Sequence, residues 1–363
     1  MKNVCVVIKN ERKAFSETDY IAALDGFASF GYVFDELRVL FKTDETKLRS
    51  TLTELKKEYD NLLVLTEKSA FTALQTLLST VCKEETFGGA NGASIFSDKE
   101  KTVFLLSFDG AEYVESVCVP YLHKKYGVKQ DKIVIRTIGA NEARVEALLA
   151  QAKSMDRGAM TYLHTRKNDE DVIRILYDGN VPRMLTDDVL RLFAEGLGDT
   201  VYALDDTPLE KQLVQLLKLR GRKISVAESF TGGGIARRIV SVSGASEVYF
   251  EGLNTYNERS KIKRLGVSEY TLGTVGAVSD QTAYEMAAGL IATGDCDISI
   301  ATTGLAGPNT DKSMLPVGLC YIAIGTKERV YVYRYKFGDT RAEITEKAIN
   351  YALYLAYKQL KNI

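Results

Sequence analysis

Hydrophobic positions along this chain switch repeatedly between strand-like and helix-like spacing. VCVVI at 4–8 is continuously apolar and reads as a strand covered on both faces. DYIAALDGFASFG (19–31) has the spacing of an amphipathic helix ended by Gly31. VFDELRVL (33–40) is a strand candidate, ETKLRSTLTELKKEY (45–59) a helix with a charged face, and NLLVLT (61–66) another apolar strand. AFTALQTLLSTVC (70–82) then predicts a helix and TVFLLSF (102–108) a strand. Alternation of this kind predicts an α/β layered domain with a mostly parallel sheet over residues 1–133.

A smaller α+β unit follows over 134–203. KIVIRTIG (132–139) is a strand and NEARVEALLAQAKS (141–154) a helix. AMTYLHTR and DVIRILYDG flank the polar turn KNDED and predict a hairpin. TDDVLRLFAEGLGD (186–199) closes the unit as a helix.

Residues 204–363 predict a third domain, of α/β/α layers. PLEKQLVQLLKLRG (208–221) is a helix, and KISVAES (223–229) a strand that runs through TGGG into the helix IARRIVS. DQTAYEMAAGLIATG (280–294) is a helix with Ser279 as its expected N-cap. DISIATTG (297–304) is a strand ending in LAGPN, PVGLCYIAIG and RVYVYRYKF are strands, and RAEITEKAINYALYLAYKQL (341–360) is a long closing helix.

Composition narrows the functional classes. With 363 residues, 45% hydrophobic and 26% charged, the chain is ordinary globular material. A net charge of −1 supplies no basic field for nucleic acid or for an anionic membrane. No apolar run approaches the roughly 18–20 residues of a bilayer span, and the N-terminal apolar stretch is short for a signal peptide, so a cytoplasmic location is expected. Cys5, Cys82, Cys118, Cys296 and Cys320 are scattered, odd in number and without CxxC spacing. They predict reduced thiols and no zinc site.

Three segments of the last domain bear candidate chemistry. In Ala227-Glu228-Ser229-Phe230-Thr231-Gly232-Gly233-Gly234 a serine falls where a strand meets a helix, the usual ligand end of an open α/β sheet. The N–H groups around Thr231, Gly232 and Gly233 suit an anion or an oxyanion. An ordinary helix cap by Ser229 or Thr231 explains the same residues equally well. A nucleophilic serine needs a base, and no histidine follows His164, so a Ser-His-Asp triad within this domain is excluded. Carboxylates, tyrosine and lysine remain as bases, and lysine serves only once burial or neighbouring positive charge lowers its pKa. Lys261, between Arg259, Lys263 and Arg264, is one candidate, against the plain reading of a solvated charged helix face. Thr302-Thr303-Gly304-Leu305-Ala306-Gly307-Pro308-Asn309 is a second small-residue strand end, where Thr303, Gly304, Ala306 and Gly307 permit close ligand contact.

AESFTGG, Y-x-x-x-x-K-x-x-x-L-G-V, GAVS, TTGLAGP, PVG and the closing helix stand in the order found in CinA proteins, and the last domain resembles that family throughout. The resemblance implies hydrolysis of the carboxamide of nicotinamide mononucleotide, giving nicotinic acid mononucleotide and ammonia, with no metal and no cofactor. It implies Ser229 as nucleophile and Lys261 as base, with Tyr256 in a supporting role. Arg341 matches the arginine before the last helix and suits a phosphate. Four features depart from the family's pattern: Phe230 replaces a cysteine, Leu315 a lysine, Asn309 and Thr310 two glycines, and Thr345 an arginine.

The resemblance continues upstream, to a molybdopterin-binding-like domain over 1–133 and a small KH-like domain over 134–203. The first is expected to have lost the family's metal-dependent ADP-ribose pyrophosphatase activity, because Glu67-Lys68-Ser69-Ala70-Phe71 stands where a glycine-rich turn and acidic pair belong and Ser107-Phe108-Asp109-Gly110-Ala111-Glu112 replaces a later proline-glycine motif. The second has no GxxG clamp and no basic patch, so no RNA partner is expected. A pyridine nucleotide is the expected small-molecule partner, and a homodimer is what the family implies. The rival readings are a non-catalytic pyridine-nucleotide binder, an amidase for another substrate, and a domain that only oligomerises.

Overall fold

The computed structural model describes residues 1–9, 18–41, 44–82, 84–89, 92–98, 100–309 and 314–362. Thr310 lies outside the described residues. The chain divides into two compact units, one of Met1–Lys132 with Ala159–Leu163 and Leu176–Val181, the other of Ile133–Gly158, His164–Ile175 and Pro182–Ile363.

The first unit runs β1 (Asn3–Lys9), α1 (Thr18–Ala28), β2 (Glu36–Phe41), α2 (Glu45–Glu58), β3 (Asn61–Thr66), α3 (Lys68–Val81), β4 (Glu84–Gly89), β5 (Ala93–Ser97) and β6 (Thr102–Ser107). A π-helical turn over Val114–Cys118 then leads into α4 (Val119–Tyr126). The strand order is β2-β1-β3-β6-β5-β4. β1, β2, β3 and β6 pair in parallel. Every residue of β1, β3 and β6 is buried, as their unbroken apolar runs require when helices cover both faces. The hairpin β4–β5, antiparallel to β6, was not legible, because EETFGG carries neither alternation nor an apolar run. The expected strand at 33–40 begins only at Glu36. Just before it, the Asp35 carboxylate accepts a hydrogen bond from the Asn3 N–H at 2.7 Å.

Next come β7 (Gln130–Ile138), α5 (Glu142–Asp156), β8 (Met160–Lys167), β9 (Glu170–Asp178), α6 (Arg183–Leu197) and the short β10 (Val201–Ala203). Their strands order as β10-β7-β9-β8. The hairpin turn is tighter than the five polar residues suggest: only Asn168 and Asp169 separate the strands, at φ 51° and 59°. A two-residue turn with both φ values positive matches the twist of its flanking strands.

The last stretch runs α7 (Leu209–Leu219), β11 (Ile224–Glu228), α8 (Gly234–Val240), β12 (Tyr249–Asn254), α9 (Glu258–Leu265), α10 (Glu269–Thr274), α11 (Asp280–Ala292), β13 (Ile298–Gly304), β14 (Leu319–Thr326), β15 (Val330–Lys336) and α12 (Arg341–Asn362). The sheet order is β12-β11-β13-β14-β15, with β11 parallel to both its neighbours and the β13–β14–β15 pairs antiparallel. Alternate residues of β11 point to opposite cores. Ile224 and Val226 pack with α7, α8 and α12, whereas Ala227 packs with α11. The expected α/β/α layering is therefore present. Ser279 caps α11 by accepting the Thr282 N–H at 3.2 Å. Among the described residues no helix is long and apolar enough to cross a membrane.

Candidate active site

The carboxyl ends of the three parallel strands β12, β11 and β13 lie side by side, with Asn254 opposite Glu228 and Glu228 opposite Thr302. The chain continues from each into the same place. Ser229 follows β11 and donates its N–H to Thr302 O at 3.1 Å. Thr255 follows β12 and donates its N–H to Glu228 O at 2.8 Å. Thr303, next to last in β13, donates its hydroxyl to Ala277 O at 2.5 Å.

Lys261 arrives from α9. Asn257 caps that helix by accepting the Arg259 N–H at 2.9 Å. Lys261 and Leu265, four residues apart, form its buried face, while Arg259, Lys263 and Arg264 are exposed. The charged run is thus a solvated helix face with one lysine turned inward. Lys261 is 1% exposed. Its Nζ lies 3.0 Å from Ser229 Oγ, 2.7 Å from Thr255 O and 3.2 Å from Tyr256 O. This set satisfies either protonation state. An ammonium donates to all three oxygens. A neutral amine donates to the two carbonyls and offers its lone pair to the Ser229 O–H.

Burial pushes the Lys261 pKa down to about 8, and the nearby Glu258 carboxylate opposes the shift. The cause is desolvation rather than the neighbouring cations Arg259, Lys263 and Arg264, whose side chains reach solvent.

Glu228, unassigned by the sequence reading, explains the glycine turn. Its carboxylate is buried and accepts the N–H groups of Gly233 (3.0 Å), Ile235 (3.1 Å) and Ala236 (2.9 Å). The start of α8 is therefore capped by Glu228, not by Ser229 or Thr231. Thr231 is instead buried, sharing a 2.8 Å hydroxyl hydrogen bond with Thr302. The N–H of Gly232 is also committed, to Ser229 O at 3.1 Å. The expected anion site on the amides of Gly232 and Gly233 is thus filled internally. Among the described residues the N–H groups of Phe230 and Thr231 find no hydrogen-bond partner. An acid at the end of a strand was the available signal for Glu228, but nothing local to the sequence shows that its carboxylate folds back over the turn.

A cavity of about 310 Å³ opens beside the pair. It brings together Ser229, Tyr256, Lys261, Thr303, Gly304, Ala306, Gly307 and Arg341. Phe230, Ala277, Val278, Leu305 and Asn309 complete its lining, and Thr231, Gly232 and Gly233 do not contribute. Phe230 packs against Ala306, Cys320, Phe337, Ile344 and Ala348 and forms an aromatic wall next to the serine. The Tyr256 side chain is 65% exposed, and its contact with the lysine is through its carbonyl, not its phenol. Arg341 opens α12 and donates from Nη1 to Gly307 O at 2.6 Å, which leaves guanidinium donors for a ligand. Lys261 and Arg341 supply the lining's basic groups, and no acid is among the described lining residues, so the cavity suits an anion.

These features define an α/β protein with a buried serine–lysine pair at the carboxyl ends of a mixed five-stranded sheet. Residues 206–360 match the family model of the CinA C-terminal domain. A putative competence-damage inducible protein of Caldicellulosiruptor saccharolyticus is 35% identical over 296 residues, covering 78% of this chain and 70% of the relative. A CinA-like protein of Kosmotoga olearia is 32% identical over 276 residues, covering 74% and 66% of the two chains. The solved structure of the competence/damage inducible protein CihA from Agrobacterium tumefaciens is 34% identical, with 42% of this chain and 96% of that one covered and a TM-score of 0.39. The chain belongs to the CinA family.

Proposed function

We propose that the C-terminal domain hydrolyses the carboxamide of nicotinamide mononucleotide, releasing ammonia and nicotinic acid mononucleotide. The observation that carries this reading is the 3.0 Å contact between Lys261 Nζ and Ser229 Oγ, both buried at the mouth of parallel strands. Neutral Lys261 takes the Ser229 proton as Oγ attacks the carboxamide carbon. Thr255 O and Tyr256 O hold the remaining lysine protons and aim its lone pair at the hydroxyl. The amide of Phe230, a residue of the cavity wall, is the donor left for the oxyanion. Protonated Lys261 then gives its proton to departing ammonia. Water, deprotonated by the same amine, cleaves the acyl-enzyme and frees the acid. The pyridinium charge disfavours an ammonium beside it and so helps keep Lys261 neutral. The nucleotide phosphate pairs with Arg341, a role for which guanidinium geometry is suited.

The test is ammonia release from the mononucleotide by wild type, by Ser229→Ala and by Lys261→Met. Release by wild type alone supports the reading. An inert wild type that binds the nucleotide with saturation replaces it with a pyridine-nucleotide-binding protein. Turnover that survives Ser229→Ala removes the serine from the chemistry.

A further inference from the structure

We propose that the hairpin tip Asn168–Asp169 is a positioning element for Arg341, acting through Lys347, and so tunes how tightly the site holds the anionic end of its ligand. The inference rests on the assignment of Arg341 to the phosphate. Lys347 Nζ, on the second turn of α12, lies 3.4 Å from Asp169 Oδ1 and 2.6 Å from Asp339 Oδ2. Asp339 stands two residues before Arg341 and has φ 85°. Thr340 and Glu343 close the helix start between them: the Thr340 N–H and hydroxyl donate to Glu343 Oε2 at 3.0 and 2.6 Å. Arg341 then reaches Gly307 O in the cavity wall at 2.6 Å. Polar contacts thus join Asp169, Lys347 and Asp339, and the backbone through Thr340 carries the link on to Arg341 and the cavity wall.

The tip is built more firmly than a surface turn requires. Asn168 and Asp169 carry the positive φ that a two-residue hairpin turn uses, and Asp339 holds φ 85° outside that turn. Gly139 donates its N–H to Asp169 O at 2.8 Å, and Asn350 of α12 donates its side-chain amide to Asn168 O at 2.9 Å. Behind the tip, Arg166 grips the fully buried Asp171 at 2.9 and 3.0 Å, and His164 holds the same carboxylate at 2.9 Å. The tip presents Asp169 to Lys347 from a rigid base.

The experiment compares wild type, Lys347→Met, Asp169→Asn and Arg341→Lys. It measures kcat and KM for ammonia release, and calorimetric Kd for nicotinamide mononucleotide and for its unphosphorylated nucleoside. Lys347→Met and Asp169→Asn are expected to weaken nucleotide binding about 3- to 10-fold, with nucleoside binding and kcat unchanged. Combining Asp169→Asn with Arg341→Lys is expected to cost less than the product of the two single effects, since both act on one contact. Equal losses for nucleotide and nucleoside would assign the network to general packing and overturn the proposal. So would no loss at all, or a wild type that binds neither ligand. A wild type that binds but releases no ammonia overturns the hydrolase reading alone, and the Kd comparison still decides this one.

Discussion

Each unit of this protein carries a lysine in the helix that follows a parallel strand, and the two lysines have opposite fates. Lys68 follows β3, and its side chain is 76% exposed, 3.8 Å from an equally open Asp109. Lys261 follows β12, is 1% exposed and rests against a serine and two carbonyls. Strand-end position alone thus does not make a site. The difference lies in what covers the lysine. α9 turns Lys261 under the end of the sheet, where desolvation works against its charge, whereas Lys68 opens α3 in water.

The largest test of this contrast is removal of either member of the buried pair. Ser229→Ala is expected to lower kcat about 10³-fold or more, and Lys261→Met by roughly 10²- to 10⁴-fold, with little change in nucleotide Kd. Lys68→Ala is expected to leave both constants unchanged, and any large loss there would dissolve the comparison.

Next comes the turn that holds the serine. Glu228→Ala leaves three helix-start N–H groups without their acceptor, two of them on partly covered backbone, and is expected to lower stability by about 3 kcal/mol in urea unfolding. Lys68→Ala is expected to stay within about 0.5 kcal/mol in the same assay, as exposed ion pairs do.

The pH dependence sharpens the contrast further. Only neutral Lys261 is a base, so kcat/KM should rise with pH and level off above about 8. Stability carries the same signature with a definite sign. Between about pH 8 and the ordinary 10.5, the unfolded chain holds a proton on Lys261 that the folded chain has released. The unfolded state therefore binds more protons, and unfolding free energy rises with pH across that window. Below it the folded state carries the full cost of the buried charge, roughly 3 kcal/mol. Lys261→Met should remove this component, so the difference between wild type and variant in urea midpoint should grow in favour of wild type from pH 8 to 10.5. A constant difference would contradict it.

Much of the fold was legible where one physical signal dominates. VCVVI, NLLVLT and TVFLLS are buried on both faces and could be written no other way. The 3.6-residue periodicity marked α2, α3, α7 and α12. β12 escaped because Tyr249–Asn254 is a half-exposed strand at the sheet edge, with glycine in place of an apolar residue. In the site, the absence of any histidine after position 164 left carboxylates, tyrosine and lysine as bases, and only the resemblance to CinA proteins singled out Lys261. The sequence could not show which face of α9 turns inward, nor that Glu228 fills the amide cradle of the glycine turn. Both depend on contacts between residues brought together by the sheet. The glycines therefore looked like an anion site when they form the seat of an internal carboxylate, and the cationic neighbours looked like the source of a pKa shift that burial produces.

The most direct measurement is a titration of the Lys261 amine itself, by carbon NMR of lysines labelled at Cε, with Lys261→Met to assign the signal. A midpoint near 8, set apart from the surface lysines, is expected. A midpoint at the ordinary value of 10.5 would leave the amine charged across the whole range in which kcat/KM is expected to rise, and burial would not have made it a base for Ser229.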